Sequence, residues 1–162
     1  MGADIHYMIE RQRTDRHDNP LDVWDCVSEK YSTPVLPTSK EVSEKYPASA
    51  LYGNRNYAFF AALAGVRGDG PDPRGVPDNL SPYSEYIIDQ YAGDGHSHSW
   101  APLKEFVLTW LKVSMPEVFA QLVANRLGSS DESQEARDIM RHYCGVDHYE
   151  LDSYRVVYFF DN

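Results

Sequence analysis

The sequence predicts an α+β fold: a single domain over residues 1–162, whose antiparallel or mixed sheet includes the N- and C-terminal strands and is covered by several helices. Three observations carry this. The run Ala3-Asp4-Ile5-His6-Tyr7-Met8-Ile9 alternates, with Asp4 and His6 on one face and Ile5, Tyr7 and Ile9 on the other, the period of a half-buried strand. The closing run Tyr154-Arg155-Val156-Val157-Tyr158-Phe159-Phe160 is apolar on both sides, as a central strand requires. Between them, several stretches carry apolar residues at helical spacing, and no repeat or composition shift marks a domain boundary.

Taken in order, residues 3–10 form the first strand, and the polar turn at residues 14–20 leads to a second, Leu21 to Val27, so the two are expected to pair as a hairpin. Residues 31–47 hold three prolines and read as a surface excursion, with a short helix where Thr38 and Glu41 have capping-box spacing. Asn56 is placed to cap a helix over residues 58–64 that Gly65 would end. Residues 67–77 are dense in glycine and proline and form a long loop. Ser81-Pro82 starts a further helix that sets Tyr83, Ile87 and Tyr91 on one face. Residues 102–112 place Leu103, Phe106, Val107, Trp110 and Leu111 in a stripe able to cover a sheet. Ser114 and Glu117 frame a capping box for a helix through Leu127, ended by Gly128, and residues 130–143 supply one more before Gly145. The carboxylates of Asp131, Glu132, Glu135 and Asp138 are expected on its solvated face.

Twenty-five acidic residues against 15 basic ones give a net charge of -10, which repels a polyanion and disfavours duplex nucleic acid as a partner. A small phosphate-bearing ligand stays compatible, because a few arginines or a metal ion can build a local positive site. Cys26 and Cys144 lie far apart and outside any C-x-x-C pair, so neither a zinc ribbon nor a disulfide scaffold is indicated. Asp4, His6 and Glu10 do not suit a secretory signal, and no apolar run reaches the length of a membrane span. A cytoplasmic protein with no membrane partner is the expectation.

The densest polar motif is Gly93-Asp94-Gly95-His96-Ser97-His98-Ser99-Trp100. A Gly-Asp-Gly turn can present the next side chains into a cleft, and His96 and His98 share a face if that piece is extended. Two imidazoles beside Asp94 suit proton transfer, or ligation of a divalent metal such as zinc or manganese. Asp4 and His6 offer a second polar pair. Because such pairs are costly to bury apart, Asp4, His6, His96 and His98 are expected to meet at one end of the sheet, with Asp94 or Asp161 behind them. Arg55, Arg67 and Arg74, with Asn56, are candidates for holding phosphate oxygens through paired N–H donors.

The opening Met1-Gly2-Ala3-Asp4-Ile5-His6, the Arg55-Asn56-Tyr57 ahead of a helix ending Ala64-Gly65-Val66-Arg67, the histidine motif and the closing Val156-Val157-Tyr158-Phe159-Phe160-Asp161-Asn162 together resemble a family of uncharacterised bacteriophage and prophage proteins. The match runs nearly end to end. It implies a phage origin, hence the host cytoplasm, and brings no assigned catalytic residues. Two classes of function follow from the residues themselves. In one, Asp4, His6, His96 and His98 hold a metal that activates water to hydrolyse a phosphoester such as a nucleotide; in its metal-free form His96 and His98 are general base and acid. In the other, the chain is a non-enzymatic accessory protein that binds a nucleotide signal or a host protein, the latter through residues 67–77.

Overall fold

The alternation of the first residues continues further than the apolar pattern: β1 spans Asp4–Thr14 and turns through residues 15–19 into β2, Pro20–Cys26, as an antiparallel hairpin. In the computed structural model, residues 2–27 and 55–162 are described, so the helix expected at Thr38 and Glu41 lies outside them. On its other side β1 pairs antiparallel with the last strand, Tyr154–Asp161, and that strand pairs antiparallel with His96–Pro102. Numbered in chain order these are β4 and β3, and the sheet order is β2-β1-β4-β3. The N- and C-terminal strands are thus its two central members.

Register decides which side chains share a face. Ile5, Tyr7 and Ile9 lie opposite Phe160, Tyr158 and Val156, and this face carries the larger core. It is covered by α1 (Tyr57–Ala64), α3 (Leu103–Ser114), α4 (Pro116–Ala124) and α5 (Gln134–Cys144), which contribute Phe59, Phe60, Phe106, Leu111, Leu122 and Met140. The other face sets Asp4, His6, Met8 and Glu10 opposite Asp161, Phe159, Val157 and Arg155. Its smaller core of Met8, Val157 and Phe159 lies under Ile87 of α2 (Pro82–Gln90), with Tyr83, Tyr91 and Trp100 packed alongside. Burial on both faces explains the unbroken apolar run of β4.

Local chemistry sets the helix ends. Asn56 Oδ1 accepts from Phe59 N at 3.2 Å, Ser81 Oγ from Ser84 N at 3.2 Å and Ser133 Oγ from Ala136 N at 3.2 Å, each satisfying a donor that the first helical turn leaves free. Gly65 and Gly145 close α1 and α5 at φ 67° and 72°, where a Cβ would be strained. The capping box expected at Ser114 does not form. Ser114 is the last residue of α3, its hydroxyl accepts from Asn56 Nδ2 at 2.9 Å, and the chain breaks at Met115 because Pro116 disfavours helical geometry in the residue before it. Glu132 also departs from expectation: its side chain is 5% exposed, and its Oε2 accepts from Gly128 N at 2.6 Å.

A buried ion pair anchors α2 to the sheet. Arg155 Nε donates to Glu10 Oε2 at 2.6 Å, Nη1 to Asn79 Oδ1 at 2.7 Å and Nη2 to Asn79 O at 3.0 Å, while Glu10 Oε1 accepts from Ser81 N at 2.9 Å. The guanidinium carbon also lies 4.0 Å from the centroid of the Trp24 ring. Every group of this pair therefore has a partner, which is what permits a charge to be buried.

Candidate functional site

Three strand termini meet at one end of the sheet. Asp4 near the start of β1 faces Asp161 at the end of β4, and His96 at the start of β3 faces Phe160. This pairing brings Asp4, His6, His96, His98 and Asp161 to a single end, and Arg55 and Arg67 reach it through Asp4 and Asn162. Asp94 stays exposed in the turn before β3, where its N–H and that of Gly95 both donate to Tyr91 O, at 3.0 and 2.6 Å. A Cβ at Gly95 would stand 3.0 Å from that oxygen and 3.2 Å from Phe159 Cδ2, so a side chain there would crowd the turn against the sheet.

The two histidines of the motif do not share a face. The β3–β4 ladder slips between His96 and Ser99, and Ser97 at the slip has φ 52°. One extra residue in a bulge inverts the alternation. His96 consequently sides with Phe160, at 6.3 Å between ring centroids, while His98 stacks on Phe159 at 5.3 Å and 20°. Phe159 and Phe160 are successive strand residues and point to opposite faces of the sheet. His96 Nδ1 lies 2.9 Å from Ser97 Oγ, and its Nε2 is buried without a hydrogen-bond partner.

His6 stacks on Phe159 from the other side of β4, at 5.0 Å and 22°, and Tyr91 lies against it at 4.4 Å and 37°. The ring of Phe159 thus stands between His6 and His98 in a row across β1, β4 and β3. His6 Nε2 approaches Asp161 Oδ2 to 3.1 Å, an ion-pair distance, but too obliquely for a hydrogen bond, and both ring nitrogens are buried. Asp4 is held by Arg55, whose Nε and Nη2 donate to its two oxygens at 2.9 and 3.2 Å; these bonds keep its carboxyl below the ordinary aspartate range, with the charges of Arg55 and His6 adding to the effect. Burial, and then the charge of Asp161, pushes the Tyr91 hydroxyl up. Burial, and then the charge of His96, holds the His98 imidazole below the ordinary histidine value. The His98 ring makes no hydrogen bond among the described residues.

The other predicted ligand residues take structural partners. Asn56 caps α1. Arg67 Nη2 donates to Asn162 Oδ1 at 3.2 Å. Arg74 donates to Trp100 O at 3.0 Å and to Glu105, and its backbone N donates to Ser99 Oγ at 3.0 Å, pinning the glycine-proline loop beside β3, where Gly75 N also donates to His98 O at 3.0 Å. Among the described residues no three His, Cys, Asp or Glu side chains converge as metal ligands. The geometry explains this: Phe159 separates His6 from His98, the bulge turns His96 away, and Arg55 occupies both oxygens of Asp4.

Sequence reasoning missed Phe159 as the partition and Tyr91 as the cover of His6. The helical stripe of Tyr83, Ile87 and Tyr91 was the available signal for the second. Comparison with protein-family models, with curated proteins and with solved structures finds no match.

Proposed function

We propose that this end of the sheet is a proton-transfer site, with His98 as general base, acting on the phosphoester of a small nucleotide or a similar phosphate-bearing ligand. The observation that carries the reading is the condition of His98. Its ring is half-buried, has no hydrogen-bond partner among the described residues, and has its pKa held below the ordinary histidine value, so it is free to accept a proton from water. Arg55 and Arg67, bonded to Asp4 and Asn162, bring cationic charge to the same end that suits an anionic ligand, and the contact of His6 with Asp161 lies beside the aromatic row on which His98 rests. The geometry favours this metal-free chemistry over a zinc or manganese centre, for which, among the described residues, His6 and Asp161 are the one acid–imidazole pair in contact at this end. On this reading the chain is an enzyme, and the resemblance adds only a phage origin.

The test incubates the full chain with linear and cyclic nucleotides and follows product by chromatography. Replacing His98 with alanine should cut turnover at least about a hundredfold while circular dichroism stays native. Because the base must be unprotonated, and its pKa lies below the ordinary histidine value of about 6.5, the wild-type rate should rise with pH along an acid limb centred below 6.5. Intact nucleotide recovered in stoichiometric amount from heat-denatured protein, with no product, would replace the enzyme by a sequestering binder.

A further inference from the structure

We infer that the groove along α3 and α4 is a docking surface for an acidic helical segment of a partner protein. The groove has a volume of ≈ 470 Å³ and is lined by Pro102, Lys104, Leu108, Lys112, Phe119 and Asp152, among others. Lys104, Leu108 and Lys112 are four residues apart and form one stripe of α3, which sets the two lysines about 12 Å apart along the axis with the leucine between them. Leu108 and Phe119 are half-buried and form an apolar floor, and Lys112 Nζ lies 6.0 Å from the centroid of the Phe119 ring.

The charge pattern selects the occupant. Most arginines among the described residues meet a carboxylate, as Arg13 meets Asp25 and Arg126 meets Asp131. Lys104 and Lys112 are the lysines of the described residues, and neither makes an ion pair or hydrogen bond there, although the chain carries a net charge of -10. Two free cations bracketing an apolar floor on so acidic a protein fit a segment with two carboxylates about two turns apart and a large apolar side chain between them. Of the rim acids, Glu105 is engaged by Arg74, and Asp152 is placed to meet a cation of the same partner. The surface belongs to the helical layer on the opposite side of the sheet from His98, so it does not rest on the proton-transfer reading.

The experiment sorts a yeast-displayed library of helical nonapeptides, randomised at positions one, five and nine, on the labelled full-length protein. Binders should carry Asp or Glu at positions one and nine and a large apolar residue at five. Their affinity should fall at least about tenfold for the K104E/K112E protein, and circular dichroism of that variant should stay native, since Lys112 is exposed and Lys104 half-buried outside the core. A substitution of Leu108 with aspartate should weaken the same binders independently of charge at the rim. A library that yields no binder, one enriched in lysine or arginine at positions one and nine, or binders indifferent to both variants would overturn the inference.

Discussion

Removal of one member of the Glu10–Arg155 pair tests the polar anchoring of α2 most directly. Glu10 is 0% exposed and Arg155 4% exposed, so neither charge can turn to water when its partner is lost. Substituting Arg155 with methionine keeps much of the stem against Trp24 but deletes the donor to Glu10 Oε2 and both donors to Asn79. Glu10 then retains the Ser81 N–H alone, and Asn79 loses the bonds that hold the chain just ahead of α2. Breaking a buried pair of this kind costs about 3–5 kcal/mol. Urea unfolding followed by tryptophan fluorescence should show that loss for R155M, and a similar one for E10L. The double variant E10L/R155M removes the orphaned charge with its partner and should recover at least about 1 kcal/mol relative to the sum of the two singles. Single losses below about 1 kcal/mol, or strictly additive singles, would refute the account of a closed buried network.

Two further substitutions probe backbone packing and one thiol reports on the core. A Cβ at Gly70 would fall 1.8 Å from Ala61 O, a backbone atom of α1, so Gly70→Ala should destabilise by about 1–3 kcal/mol, whereas Gly93→Ala, with nothing within 4 Å of its Cβ, should stay within about 0.5 kcal/mol; thermal unfolding of the pair checks both. Burial pushes the Cys144 thiol up to about 12, against a smaller opposing pull from Lys104, so at pH 8 it holds almost no thiolate. Mass spectrometry after native iodoacetamide treatment should find Cys144 unmodified, with alkylation appearing only in denaturant.

The fold was legible wherever one element could be judged alone. Alternation in β1, two-sided apolarity in β4 and the caps Asn56 and Ser81 each depend on near neighbours in sequence, and each agrees with the structure. Failures arose where a competing contact, near or far in sequence, decided the outcome. Ser114 looks like a helix cap until Pro116 fixes the break at Met115 and the Asn56 amide claims the serine hydroxyl. Glu132 looks solvated by composition, yet Gly128 N donates to it, and His148 Nδ1 and Arg137 Nε stand 3.5 and 3.6 Å from its Oε1.

The candidate site divides along the same physical line. That Asp4, His6 and Asp161 gather at one end follows from pairing the first strand antiparallel with the last, since a start must then face an end. The division of His96 from His98 could not be read in that way. His-Ser-His-Ser has the period of an unbroken strand, and the pattern is the same whether or not one residue is squeezed out of the ladder. The bulge changes the chemistry more than the location. An unbroken strand would have set two imidazoles side by side over one face, able to share a ligand, whereas the slip at Ser97 leaves His98 half-buried on Phe159 and gives His96 to the opposite face beside Phe160. His96 still acts on its neighbour through charge, adding to the burial that holds the His98 pKa below the ordinary histidine value. Under the proposed proton-transfer reading, the motif is one working imidazole and one that tunes it, whereas an unbroken strand would have made a pair of equivalent ligands.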